Sequence, residues 1–421
     1  MYALTQETDE KLFEFLINAV EKIEYYSNFF SVYRKRINIK LSDFPFLTQQ
    51  VVQRESSHFL CKKYQRYPDI ENLLFKRHLG ALGILMEIYW DSRDEARSQT
   101  FLWEYRKKRF HITKDEKCCV FCTAEYVGNK VMNVMPKHLS QDGKALTFSM
   151  QDLSLERLQW CWETILAFDP VWMILPPSIA LMLAENVAAE NQPIPISLRY
   201  MEMYGETVDM QTEKKIQNLF HVQTGNVYAT QAAGPIAASC AHGNLHMFSE
   251  NAVVEVIRDG KPVMDDEGDI YITSLQNTAM PLIRLKTGER GLLRSVPCAC
   301  GQQSPMLHLT CGRTCDFITT PSGRKVSAFL LRSIVEYTNE EVSRCLSHIR
   351  FRQNGYDRMD VILRTKPAFS NWGQEISRVF KEKICDSQLK EIQWNFSYEN
   401  SCETNEVDEH PFFEPWEGGE K

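Results

Sequence analysis

The residues best suited to chemistry lie in two short segments, "SCAHGNLHMF" and "VPCACG". They supply Cys240, His246, Cys298 and Cys300, three thiols and an imidazole, the donor set of a closed tetrahedral zinc site. Cys-x-Cys-Gly is a tight turn that aims two sulfurs at one ion, and a soft set with no spare position suits a structural metal rather than a catalytic one. The same residues also allow a metal-free reading, as small buried side chains with His242 or His246 a core histidine. A second candidate is "KRHLGALGILMEIYWD", Lys76 to Asp91. Gly80 and Gly83 have the spacing of a phosphate-cradling turn, yet the loop holds no hydroxyl and no lysine. Taken alone it is an apolar strand with two glycines. "KTGER", Lys286 to Arg290, is by itself an ordinary turn. The Cys-x-x-Cys at Cys119 and Cys122, in "CCVFC", has no second pair nearby and reads as a buried strand whose thiols fill small holes.

These residues have to be held by a large scaffold. At 421 residues the chain is long enough for one large core and a second domain. Its composition, 43% hydrophobic and 24% charged, is that of a globular protein and argues against long disorder. A formal net charge of −7 gives no general pull toward nucleic acid or anionic lipid. The start, "MYALTQETDEKLFEFL", has no basic n-region, so no signal peptide is expected and the predicted location is cytoplasmic. The most apolar stretch, "ILAFDPVWMILPPSIALMLAENVAA", is interrupted by Asp169, Pro170, Pro176 and Pro177 before it reaches a spanning length. No membrane partner is expected. Thirteen cysteines in such a chain favour reduced thiols or metal ligands over disulfides.

Residues 8 to 38 show helical spacing, with Leu12, Phe15, Leu16 and Val20 on one face. "SRDEARSQTFLWEYRKKR" is a helix with acids in its first turn and bases in its last. Strands and helices then alternate from "KCCVFC" to "GNVYATQ", which predicts an α/β layered fold. Short strands follow from about residue 250, and beyond "CGRTCD" comes an α+β module of about a hundred residues. The predicted division is a large layered N-terminal domain, 1–312, and a small α+β C-terminal domain, 313–421.

The segment "GDIYITSLQNTAMPLIRLKTGERGLL", followed by "CACG" and "GRTCDFITTPSGRKVS", resembles the adenylate-forming superfamily, in its phenylacetate-CoA-ligase-like branch. "DFPFLTQQ", "MILPPSIALMLA" and "MYGET" are similar to further segments of that branch. The resemblance implies carboxylate activation: an acid, aromatic in this branch, attacks the α-phosphate of ATP, and a thiol of CoA or of a carrier protein then captures the acyl-adenylate. It implies a ribose-binding role for Glu289, an adenine-side strand at Gly205 and Glu206, and a phosphate loop at Gly80 and Gly83. Tyr228, Thr230 and Gln231 match a motif in which Gln231 replaces the glutamate that helps hold Mg²⁺. Arg313 matches the hinge arginine, with Asp316 kept and Cys315 replacing the first hinge aspartate. Lys421 falls at the catalytic lysine of the C-terminal motif. Members of the branch also carry the Cys, His, Cys, Cys set, here Cys240, His246, Cys298 and Cys300. Three departures, the hydroxyl-free loop, Gln231 and the terminal position of Lys421, fall around ATP. They raise the alternative of a catalytically degenerate member acting as a binding or interaction protein.

Overall fold

The first helix, Gln6–Lys22, starts where Thr5 accepts a hydrogen bond from the Thr8 backbone and carries Glu7 and Asp9 in its first turn. It buries Leu12, Phe15, Leu16 and Ala19. The continuous helical spacing through residue 38 does not give one helix. The chain turns extended at Ile23 and resumes as Glu24–Ser31. Tyr26 explains the break, since its buried hydroxyl donates to the Pro281 carbonyl at 3.0 Å and accepts from the Ile283 N–H at 3.0 Å, which redirects the second helix. The structure is a computed structural model, and it describes residues 5–31, 39–65, 68–122, 126–127, 130–131, 137–150, 152–294, 296–311, 317–385, 387–399 and 410–416.

The fold is mixed α/β, in two compact units, each made from two stretches of chain. Met1–His111 and Asn226–Gly312 form the first; Ile112–Gly225 and Arg313–Lys421 form the second. The first unit is built on antiparallel strands, in the order Ala252–Arg258, Gly268–Ser274, Leu285–Arg294, Met306–Cys311, Leu245–Met247, Gly234–Ser239 and Gln223–Thr230. A separate hairpin pairs Leu73–Leu79 with Leu85–Asp91, and helices Ser92–Ser98 and Thr100–Phe110 follow it.

In the second unit Tyr200–Tyr204, Trp172–Leu175, Cys118–Cys122 and Ala145–Ser149 run parallel, with Lys137–Leu139 antiparallel at the edge. The alternation of strand and helix in the sequence is what a parallel sheet with crossover helices requires. Leu155–Phe168, Pro177–Ala189 and Met210–Phe220 are those helices. The same unit holds a four-stranded sheet, in the order Gln393–Tyr398, Arg358–Thr365, Leu346–Gln353 and Phe413–Glu414, with helices Phe329–Glu341 and Gly373–Cys385. "CCVFC" is a strand, as its sequence reads, with Cys119 fully buried. Among the described residues no helix is long and apolar enough to cross a membrane.

Candidate functional site

In the first unit the strand Leu285–Arg294 presents Thr287 and Glu289 on one buried face. Between them Gly288 takes φ +88°, and a Cβ there would lie 2.8 Å from the Leu82 side chain. The Tyr228 hydroxyl donates to Glu289 Oε2 at 2.5 Å. Three strands lie between those carrying Tyr228 and Glu289. A flat sheet would put the two strands roughly 19 Å apart, so the sheet must curl to bring phenol and carboxylate together. The Thr230 hydroxyl accepts from the Ala233 backbone at 3.1 Å. Gln231 contributes its backbone carbonyl, which accepts from Trp90 Nε1 at 2.8 Å, and its side chain is exposed.

The glycine loop forms the tip of the Leu73–Leu79/Leu85–Asp91 hairpin. Gly80 N–H donates to the Ile84 carbonyl at 3.1 Å and Gly83 N–H to the Gly80 carbonyl at 3.2 Å. Both glycines have a local reason. Gly83 sits at φ +75°, and a Cβ on Gly80 would meet Gln49 Oε1 at 2.3 Å. The tip is apolar and buried, with Leu79, Ala81, Leu82 and Ile84 all shielded from water. Lys76, on the strand that leads into the tip, is paired with Glu95 at 2.9 Å. Introducing hydroxyls by Leu79→Ser with Leu82→Thr should therefore cost roughly 1–3 kcal/mol each for burying polar groups in an apolar tip. The melting temperature should fall with no gain in pyrophosphate exchange. A faster and equally stable double variant would instead mark the tip as a weakened phosphate cradle.

In the second unit Gly205 and Glu206 follow the strand Tyr200–Tyr204. The Glu206 carboxylate is buried and accepts from both the backbone N–H and the hydroxyl of Ser178, each at 2.9 Å. It thereby caps helix Pro177–Ala189, whose own N-cap residue, Pro176, makes no side-chain bond. Ser178 Oγ lies 2.7 Å from Ser327 Oγ. Gly205, at φ +78°, leaves space filled by Phe329, whose ring a Cβ would approach to 2.9 Å. Sequence reasoning missed Ser178, and the Pro-Pro-Ser start of a helix lacking its own cap is the signal that could have found it.

Cys240, His246, Cys298 and Cys300 converge, their ligand atoms all within 4.8 Å of one another. Cys240 Sγ and Cys298 Sγ are 3.7 Å apart, and Cys300 Sγ is 3.2 Å from His246 Nε2. Two sulfurs about 2.3 Å from one tetrahedral ion would be separated by about 3.8 Å, so the set fits zinc in size as well as in softness. His246 Nδ1 lies 3.2 Å from both the carbonyl and the hydroxyl of Ser304, which turns Nε2 toward the sulfurs. Backbone N–H donation from Cys300 leads the effects that hold the Cys298 thiol down to about 6, while burial raises Cys240. Asn244 Nδ2 also donates to Cys298 at 3.3 Å. Asn244 and Ser304 were not singled out from the sequence, although both lie in the turns that carry the ligands.

No family model matches the chain. A phenylacetate-coenzyme A ligase of Thermus thermophilus is 27% identical over 159 residues, 36% of this chain and 36% of that protein. The match thus spans about a third of the length of that relative. A crystal structure of 2-hydroxyisobutyryl-CoA ligase with 2-HIB-AMP and CoA, in the thioesterification state, is similar over 97% of this chain and 89% of its own, at TM-score 0.61 and 15% identity. The same ligase in its postadenylation state gives TM-score 0.55 at 14% identity, over 95% of this chain and 87% of its own. The chain has the fold of these CoA ligases, and over about a third of its length its sequence is similar to a phenylacetate-coenzyme A ligase.

This chain brings Glu289 and Tyr228 together in one unit and keeps Gly205 and Glu206 in the other. Arg284, in the same "PLIRLKTGE" segment, forms a buried ion pair with Glu255 and belongs to the framework. Arg313, Asp316 and Lys421 lie outside the described residues.

Proposed function

We propose that the protein activates a carboxylic acid with ATP as an acyl-adenylate and passes the acyl group to a thiol, that of CoA or of a carrier-protein phosphopantetheine. An aryl acid is the proposed substrate class. The observation that carries this reading is the 2.5 Å bond between Tyr228 and Glu289, which joins two segments that match the family in separate parts of the sequence. A buried carboxylate steadied by a phenol is suited to gripping a pair of ribose hydroxyls. In this reading Gln231 offers Mg²⁺ an amide oxygen without charge. Gly205 and Glu206 form the adenine side, Arg313 is the hinge, residues 313–421 act as the moving domain, and Lys421 is the catalytic lysine. Zinc on Cys240, His246, Cys298 and Cys300 is structural.

The reading is tested by incubating the protein with ATP and a panel of aryl and fatty acids and looking for acyl-adenylate by mass spectrometry. Glu289→Ala should weaken binding of a non-hydrolysable acyl-adenylate analogue by roughly 2–4 kcal/mol, about 30- to 900-fold, on the scale of charged hydrogen bonds. Calorimetry measures it, and unchanged affinity removes Glu289 from the site. A second reading, a member that binds without catalysing, is favoured by the buried apolar hairpin tip at Gly80–Ile84. Analogue binding with no adenylate formed from any acid would select it.

A further inference from the structure

A cavity of about 550 Å³ opens in the first unit beside the metal cluster, with Cys240 and His246 in its wall. Its size is that of a small-molecule site. The opposite wall comes from helix Thr100–Phe110, which contributes Phe101, Tyr105, Lys108 and Arg109. Phe248 completes an aromatic surface, its ring edge-on to Tyr105 at 6.3 Å. The Tyr105 hydroxyl donates to the Ser239 carbonyl at 2.8 Å, which fixes the ring in place.

Charge decides what this cavity would take. Lys108 is offset by Glu104, its partner at 3.1 Å. Arg109 Nε is buried with no hydrogen-bond partner among the described residues. A buried donor left unpaired is unfavourable, and an anionic oxygen is the acceptor that best satisfies it. The carbonyl end of the helix opposes an anion with about half a charge, less than the full charge of the guanidinium.

The cavity is separate from the proposed nucleotide residues. Tyr228 pairs with Ala237, and the next pair is Val227 with Ala238. Side chains alternate along a strand. Tyr228 and Ala237 therefore enter the main core, whereas Val227 and Ala238 pack with Leu102, Tyr105 and Phe248 on the other face. Ala238 lines the cavity, so the cavity lies across the sheet from the Tyr228–Glu289 pair.

We propose that this cavity binds a small aryl carboxylate, its ring against Phe101, Tyr105 and Phe248 and its carboxylate on Arg109, at a position distinct from the acid-activating site. Photolabelling of the full-length, metal-loaded chain with 4-azidobenzoate, followed by peptide mapping, tests it. Label is expected in segments 101–109 or 238–248, removed by excess benzoate, reduced at least fivefold in Arg109→Gln and retained in Glu289→Ala. Label confined to other segments overturns the proposal and leaves the acid-activation reading standing. Label in these segments that benzoate does not displace, or that Arg109→Gln does not reduce, overturns it as well. Should Arg109→Gln not fold, benzoate protection on the native chain decides alone.

Discussion

Replacing Arg284 by alanine should destabilise the first unit by about 3–5 kcal/mol, the cost of breaking a buried ion pair from one side. Arg284 Nε meets Glu255 Oε2 at 2.9 Å and Nη2 meets Oε1 at 3.1 Å, while Nη1 donates to the Phe44 carbonyl at 3.1 Å. The guanidinium also sits 3.9 Å from the centroid of the Phe46 ring. Both charged side chains are at most 6% exposed. The backbone at Arg284 takes φ +56°, a conformation disfavoured for a side-chain-bearing residue and held here by that fork of contacts. Burial raises the Glu255 carboxyl above its ordinary 4.5, and Arg284 pulls it back. Without the arginine the carboxyl rises further. A raised folded value gives stability that is full below the unfolded 4.5 and is lost as pH climbs through the folded value. The deficit of Arg284→Ala should therefore be smaller at pH 5 than at pH 8. Urea unfolding at the two pH values measures it, and Arg284→Met with Glu255→Leu should recover most of the loss. A single variant as stable as the parent would mean that the pair contributes nothing. Because Glu289 lies on the strand that Arg284 starts, nucleotide-analogue binding should weaken along with stability.

Much of the fold was legible because its signals are local. Ser154 accepts from the Arg157 N–H and starts helix Leu155–Phe168 where the sequence places it. Beyond residue 327 two helices and three of the four strands form the α+β module that the sequence predicts, while the fourth strand, Phe413–Glu414, was not read from it. What escaped depends on partners distant in sequence. Nothing in "EKIEYYS" marks the break at Ile23, because the cause lies at Pro281 and Ile283. The convergence of Cys240, His246, Cys298 and Cys300 was readable since soft ligands beside turn residues have few other uses, and the structure brings the same four residues together. The glycine loop was ambiguous for the opposite reason. Glycines serve a phosphate or a tight hairpin equally well, and Gln49 and Leu82, which pack against Gly80 and Gly288, do not show in the spacing. Tyr228 and Glu289 were each named by resemblance, but the bond between them depends on how the sheet curls.

Purified protein should carry one zinc per chain, and stripping it should cost more stability than any single side-chain change considered above. The four ligands join the 240–246 hairpin to the 298–304 loop, and neither segment holds a large apolar core of its own, since the local cluster is Cys240, Cys298 and Met306. Metal binding here is folding free energy, which for structural zinc in small peptides reaches about 10–16 kcal/mol. A large chain recovers only part of that, because the surrounding strands Leu245–Met247 and Met306–Cys311 pair without the metal. Cys298→Ser should therefore lower solubility and melting temperature and abolish stoichiometric zinc, with any loss of activity following the loss of folded protein. The pH dependence has a definite sign. The Cys298 thiol is held down from 9.0 to about 6, so its contribution is complete above the unfolded value and is lost as pH falls through the folded one. Acidification returns protons to the ligands and should release zinc, at a pH set by competition between metal and proton and so below that of the metal-free thiol, which a chromophoric chelator would register. Plasma mass spectrometry and chelator-dependent melting decide together: a chain free of zinc that melts at the same temperature with and without chelator would leave these residues as packing, and the imidazole beside Ser304 as a core histidine.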